Sequence, residues 1–181
     1  MANKIDLDVL NIIPSIRSAF GINLAIFISY FGSTEAFILL VIALSLFFWL
    51  HKKPYHLVQF ISTLAVGSLV VYLIKIYIAK PRPLEALINI SGYSFPSGHA
   101  TISTLFCSMI IFSYKDHIKN IYLKISIVIL LSVAALLVSF SRVYLSVHYL
   151  SDVIVGILLG LLISAISVFV FENFYKKDNL L

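Results

Sequence analysis

Long apolar runs, broken only by short polar turns, are the feature that most limits what this chain can fold into. Five of them lie at roughly 35–50, 57–79, 99–114, 121–141 and 149–172. Backbone inside a bilayer has no water to bond, so such runs must be helices. About 20 apolar residues cross the hydrocarbon core, which makes the first and third runs short for the task. Only 12% of the 181 residues are charged and 61% are hydrophobic. A soluble domain carries about 25% charged residues. Lipid, rather than water, is therefore expected to solvate this surface.

The expected fold is an all-α integral membrane protein, a helical bundle of five transmembrane helices with an N-terminal interfacial helix. The length suits a single domain over 1–181, with an N-terminal segment at 1–31 and the bundle at 35–172. In the N-terminal segment, Ile5, Val9, Ile12, Ile13 and Ile16 recur at helical spacing against Asp6, Asp8, Asn11 and Ser15. That pattern predicts an amphipathic helix lying in the interface. Residues 19–31 are apolar but short; as a tilted span they would make a sixth. Lys4, Asp6, Asp8 and Arg17 interrupt the start, so a cleavable signal peptide is not expected.

Charge placement predicts the orientation. Lys52, Lys53, Lys115, Lys119, Lys124, Lys176 and Lys177 flank one set of helix ends, seven of the 13 Lys and Arg. Basic loops stay cytoplasmic, which would put the C-terminus inside and the 80–98 and 142–148 connections outside. The net charge of +5 does not imply nucleic acid as a partner, because the basic residues are scattered and form no stripe with aromatics. Cys107, the single cysteine, excludes an internal disulfide and reads as a packed residue. Gly156 and Gly160 form a small-xxx-small pair suited to close helix packing, weak evidence for a dimer. A monomer or a weak dimer is expected.

Ionisable residues at membrane depth are costly and tend to face a cavity or each other. Here they form three clusters at the outer helix ends. Lys75 and Arg82 are seven apart and would share a helix face, although Pro81 and Pro83 suggest that the chain has left the helix by then. Alone, they could be a snorkelling pair. Pro96-Ser97-Gly98-His99 precedes the third run. There Ser97 can cap a helix and Gly98 allows close backbone approach at an anion-attracting terminus. Alone, this could be an ordinary cap with an interfacial histidine. His148 and Asp152, four apart and near Arg142, would lie on one helix face. A carboxylate bonded to one imidazole nitrogen fixes the tautomer and frees the other nitrogen as a nucleophile. A structural His–Asp bond is the plainer alternative.

Three cations, a helix N-terminus and two histidines on one membrane face are what binding and attacking a phosphoryl group needs. The pattern K-x6-R-P, P-S-G-H and S-R-x5-H-x3-D, complete over 75–152, resembles the signature of the type 2 phosphatidic acid phosphatase family, which shares its site with the vanadium haloperoxidases. The resemblance implies a helical bundle with an active site at the outer interface and no metal or other cofactor. It implies His148 as the nucleophile forming a phosphohistidine, Asp152 as its orienting partner and His99 as general acid, then base for water. Lys75, Arg82, Ser97, Gly98 and Arg142 would hold the phosphate oxygens. Glu85 and residues 84–95 are candidates for reading the headgroup. His51, His56 and His117, near the cytoplasmic ends, are outside this scheme.

The expected activity is hydrolysis of a lipid phosphate or diphosphate in a bacterial inner membrane, with the lipid substrate and the bilayer as partners. Undecaprenyl pyrophosphate is favoured among the substrates; phosphatidylglycerophosphate, phosphatidic acid and the 1-phosphate of lipid A are the alternatives. A vanadate-dependent peroxidase conflicts with the membrane spans. An anion transporter would need polar residues along a path, and here they collect at one interface. An inactive lipid-binding subunit would not need His99, His148 and Asp152.

Overall fold

All regular structure among the described residues is helical, as the apolar runs require. The computed structural model describes residues 2–114 and 118–175. The expectations attached to Lys115, His117, Lys176, Lys177 and the C-terminal Leu181 fall outside them. Helix α1 spans Lys4–Ile12 and continues into a 3-10 turn, Ile13–Ile16. It is followed by α2 (Ala19–Tyr30), α3 (Thr34–Leu50), α4 (Pro54–Ile78), α5 (Gly98–Tyr114), α6 (Ile121–Tyr144) and α7 (Leu150–Val170). One wider turn, Phe171–Tyr175, extends α7. Their starts follow local chemistry. Asn3, Ser18, Ser33 and Asn120 each accept a backbone N–H as N-caps, and Pro54 opens α4 where no donor is needed.

Helices α3 to α7 coincide with the five apolar runs, but length separates them. Helices α4 and α6, and α7 taken to Asn173, are each long and apolar enough to cross a membrane. The α2 and α3 helices meet at a 43° bend and pass the same test only as one broken span, which makes four. Helix α5 has 17 residues and falls short of that test; at 1.5 Å per residue it is about 25 Å long. It is the inner helix, packed against α4, α6 and α7.

The contact of α5 with α7 depends on the two glycines. A Cβ on Gly156 would lie 2.8 Å from the Ser97 carbonyl oxygen, and one on Gly160 would lie 2.8 Å from that of Thr101. No side chain fits at those distances. The small-residue pair is thus filled by α5 of the same chain.

The bundle has two unlike ends. The α4–α5 and α6–α7 connections meet at one end, where α1 packs on the start of α7. The α3–α4 turn lies at the other, with Lys53 5.8 Å from the Tyr114 ring centre and Tyr55 5.9 Å from Phe171. His51 and His56 sit at this second end. The His51 ring pairs with the Phe47 carbonyl at 2.8 Å, and His56 stacks on Phe48. From this second end inward, Phe48, Phe60, Leu64, Leu105, Met109 and Ile163 form the largest buried apolar cluster among the described residues.

Helix α1 corrects one expectation. Its polar face does not simply look to water, because Asp6 is only 2% exposed. Ile5 and Ile12 point outward instead, at 64% and 59% exposure. Asp6 turns inward because the start of α7 supplies it with hydrogen-bond donors.

Candidate active site

Helix α4 ends at Ile78, and Ala79 adopts a left-handed conformation (φ 48°) with its N–H bonded to the Lys75 carbonyl. The chain therefore leaves the helix before Arg82, as the prolines suggest. Lys75, still on the last turn, donates to the Tyr93 carbonyl at 2.7 Å. Arg82 lies on the connection and bridges it to the α6–α7 turn. It donates to the carbonyls of Gly92 (3.0 Å), Ser91 (3.3 Å) and Val147 (2.8 Å).

The Arg82 guanidinium also lies 3.1 Å from Nε2 of His148. Arginine can only donate, so Nε2 must be the unprotonated nitrogen. The proton of the neutral ring is then on Nδ1, which faces Oδ2 of Asp152 at 3.6 Å. That separation exceeds a formed hydrogen bond, and Nδ1 has no other partner. The geometry thus orients the Nε2 lone pair toward the cations and the N–H toward the carboxylate.

Ring placement follows from the α6–α7 turn. Ser146 is left-handed (φ 51°), and the N–H groups of Val147 and His148 both bond the Arg142 carbonyl, at 3.1 and 3.3 Å. The chain folds back and buries His148 to 3% exposure. Arg142 itself is 2% exposed. Its guanidinium donates to the Ser29 hydroxyl on α2, while its Nε has no partner.

Helix α5 begins at Gly98, and Ser97 accepts the Ala100 N–H through its hydroxyl at 3.4 Å. The Ser97 hydroxyl is fully buried, so it serves its own helix here. Its N–H donates to the Asp152 carbonyl oxygen at 3.0 Å, tying α5 to α7. A Cβ at Gly98 would meet only Val71, at an ordinary 3.8 Å, so the fold leaves space beside this backbone. His99 is half-buried on the first turn. A Cβ on Gly32 would come within 2.7 Å of its ring, so the α2–α3 turn packs directly on His99.

The charges of Lys75, Arg82 and Arg142 bear on both histidine rings. Burial lowers the pKa of His148 to about 4, with these cations adding to the effect against the opposing pull of the nearby Asp152 carboxylate. Burial also lowers that of Arg82. The site is therefore a cationic pocket with a neutral imidazole in it. Among the described residues no three His, Cys, Asp or Glu side chains converge in a way that could hold a metal ion. An apolar cavity of about 170 Å³ opens beside His99, between α3, α5 and α6, lined by Phe37, Ile102, Phe106 and Leu131 among others.

Sequence reasoning missed a second layer. Lys80, a variable position inside the first motif, is 7% exposed and donates to Oδ1 of Asp152 at 2.7 Å. It also reaches Asp6 at 3.4 Å and the Ser151 hydroxyl at 3.2 Å. Asp6 accepts from the Ser151 N–H and hydroxyl at 2.9 and 2.7 Å. Burial would raise the pKa of Asp6, but these bonds outweigh it and leave the carboxyl lowered. Ser29, the partner of Arg142, was missed too. No local spacing announces partners 72 or 145 residues apart.

Known proteins share the sequence and the fold of this chain. Residues 56–176, about two thirds of the chain, match the model of the PAP2 superfamily. The chain is 28% identical over 138 residues to phosphatidylglycerophosphatase B of Bacillus subtilis, covering 75% of this chain and 68% of that one. It is 41% identical over 93 residues to the undecaprenyl-diphosphatase of Sulfolobus acidocaldarius, but that match spans 51% of this chain and only 37% of the relative. Its fold is similar to the crystal structure of the PAP2 type phosphatidylglycerolphosphate phosphatase from Bacillus subtilis, with a TM-score of 0.84, 26% identity, and 95% and 85% of the two chains covered. It is also similar in fold to Aquifex aeolicus LpxE, with a TM-score of 0.73, 23% identity and coverage of 90% and 93%. A family match over most of the chain, carried on a bundle of the same shape, makes this multi-pass membrane protein a member of the PAP2 superfamily.

Proposed function

We propose that this protein is a metal-independent phosphatase of membrane lipids that works through a phosphohistidine on His148. The observation that carries the reading is the Nε2 atom of His148, unprotonated and 3.1 Å from the Arg82 guanidinium. A phosphoryl group taking the place of that contact would meet a nucleophile and its counter-charges together.

The Nε2 lone pair attacks phosphorus, and the bond from phosphorus to the lipid-side oxygen breaks. His99 gives that oxygen a proton. Lys75, Arg82 and Arg142, with the backbone at Ser97 and Gly98, hold the three remaining oxygens. Asp152 accepts the Nδ1 hydrogen bond and stabilises the positive ring. Water then attacks phosphorus, His99 takes its proton, and the P–N electrons return to Nε2 as inorganic phosphate leaves. The cavity beside His99 suits the first carbons of an acyl or prenyl chain, which would leave the rest of the tail among lipids. Five spans arranged as one domain, with the site outside and the C-terminus cytoplasmic in a bacterial inner membrane, complete the proposal. Helix α5 would be a short inner span.

Among substrates we favour a polyprenyl diphosphate such as undecaprenyl pyrophosphate, supported by the 41% identity to a relative named for that activity. Phosphatidylglycerophosphate is the second reading, supported by the longer match and the shape of the whole bundle. Phosphate release in detergent from both lipids, phosphatidic acid and lipid A tests the choice. His148→Ala should lose at least about 10³-fold in kcat. Asp152→Asn should lose less, chelator should change nothing and vanadate should inhibit. Turnover that needs an added divalent metal, or survives His148→Ala, would overturn the mechanism.

A further inference from the structure

The buried cluster behind the histidine has no part in the scheme above, yet it reaches the carboxylate on which the scheme depends. Lys80 sits between two acids, with Asp152 at 2.7 Å and Asp6 at 3.4 Å, and its ammonium lies 4.3 Å from the Tyr149 ring centre. Three charged side chains in a dry space are costly unless each is bonded. Here each is. Asp152 accepts from Lys80 at Oδ1 and from the Tyr149 N–H at Oδ2, 3.1 Å away. Both oxygens are therefore fixed, and the carboxylate cannot turn away from the Nδ1 of His148. Asp6, in turn, is held by the Ser151 N–H and hydroxyl and by the cap of its own helix at Asn3.

We propose that Lys80, anchored by Asp6 of the N-terminal helix, is a positioning residue for the reaction, holding Asp152 in register with His148 and tempering its charge. The proposal rests on the His148–Asp152 reading above. It also gives α1 a task, since this helix then braces the catalytic turn from outside the bundle. A bare Asp152 would hold the imidazolium too firmly and slow the return to a neutral nucleophile. Lys80 draws off part of that negative charge, and Asp6 sets how much.

Kinetics of the full-length protein in detergent test this with Lys80→Gln and Asp6→Asn. The titratable and charged groups facing the His148–Asp152 pair are Lys75 from α4, Lys80 and Arg82 from the connection, His99 from α5, Arg142 from α6 and Tyr149 at the start of α7, with Asp6 of α1 behind Lys80. Removing the Lys80 cation should lower kcat about 10-fold or more, as loss of a supporting partner does elsewhere, with KM changing little. The acidic limb of kcat/KM should move to higher pH. Asp6→Asn removes a negative charge and should move that limb to lower pH, with a smaller loss of kcat. Loosened packing alone would not give opposite displacements. Should Lys80→Gln fail to fold, the isosteric Asp6→Asn decides. An Asp6→Asn enzyme with normal kcat and an unmoved acidic limb overturns the proposal, as does a folded Lys80→Gln enzyme that behaves like wild type. If His148→Ala is inert in the same assay while both variants are normal, only the role of Lys80 falls. If His148→Ala is active, the reading of the site falls first.

Discussion

The end of the bundle that carries the histidines and the end that carries the α3–α4 turn are held together by different physics. At the first, polar side chains far apart in sequence are cross-linked. Arg82 bonds Val147, Lys80 bonds Asp152, Asp6 bonds Ser151, and Arg17 bonds the Tyr144 carbonyl and the Ser146 hydroxyl. At the second, rings pack on rings, with Phe48 against Phe60, His56 and Tyr114. Lipid tails are as apolar as those rings, so packing there supplies shape and dispersion more than a hydrophobic drive. Directional bonds fix atoms to fractions of an ångström, which chemistry needs; apolar packing holds helices side by side, which the span needs. If the division is real, substitutions at the two ends should separate activity from stability.

Among the substitutions that compare the two ends, Arg82→Ala is expected to have the largest effect, measured as kcat for phosphate release. The guanidinium both faces Nε2 and ties the connection to the α6–α7 turn, so a loss of about 10²–10³-fold is expected, comparable to removing one donor to a developing charge. Thermal inactivation should shift far less. An equal loss of stability would blur the comparison, because Arg82 would then be a clamp for the fold.

Acid should bring the next effect. With the pKa of His148 lowered to about 4, the free enzyme keeps a neutral nucleophile down to that pH. Below it the ring takes a proton and kcat/KM should fall about tenfold per unit, since this ratio reports the free enzyme. A limb near the ordinary histidine value would mean that the ring is more solvated than its 3% exposure implies.

These effects could be set out because the motif residues carry their own spacing. Ser97-Gly98-His99 lies on one turn, and His148 and Asp152 are one turn apart on either side of a helix start. Local pattern sufficed to pair them in sequence, but the shared helix face expected for His148 and Asp152 does not form, because α7 starts at Leu150 and His148 lies in the turn before it. It failed wherever the partner is distant. Asp6 looked like one more polar residue on an amphipathic helix, and nothing near it in sequence tells of Ser151. Lys80 follows a left-handed Ala79, so its direction is set by a backbone reversal that helical spacing does not describe. The five helices behind the apolar runs were legible from hydropathy. The 43° bend between α2 and α3 was not, since Gly32 at that turn is fitted to His99, a tertiary contact.

Gly32→Ala sharpens the comparison at that contact. Its methyl group would sit 2.7 Å from both the His99 ring and a Val138 methyl, so something must shift. The ring, only half-buried, is the freer of the two. Turnover should drop about 10-fold, since small displacements of a reacting group are costly, and the drop should be greatest for substrates with a poor leaving group, which need the acid most. An equal loss for an activated aryl phosphate would mean that the whole site had moved.

The smallest effect on catalysis, and the strongest test of the division, belongs to Phe60→Ala. Phe60 is 1% exposed and packs on Phe48 and Phe106 at the far end. Truncation leaves a void that neither lipid nor neighbours fill, at a cost of about 3 kcal/mol, read as a lower midpoint of thermal inactivation in detergent. Per folded molecule, kcat should stay near that of wild type, because no hydrogen bond of the histidine end passes through this ring. A Phe60→Ala enzyme with normal stability and impaired kcat would show instead that the apolar end transmits strain to the site, and that α4 aligns Lys75 through its whole length.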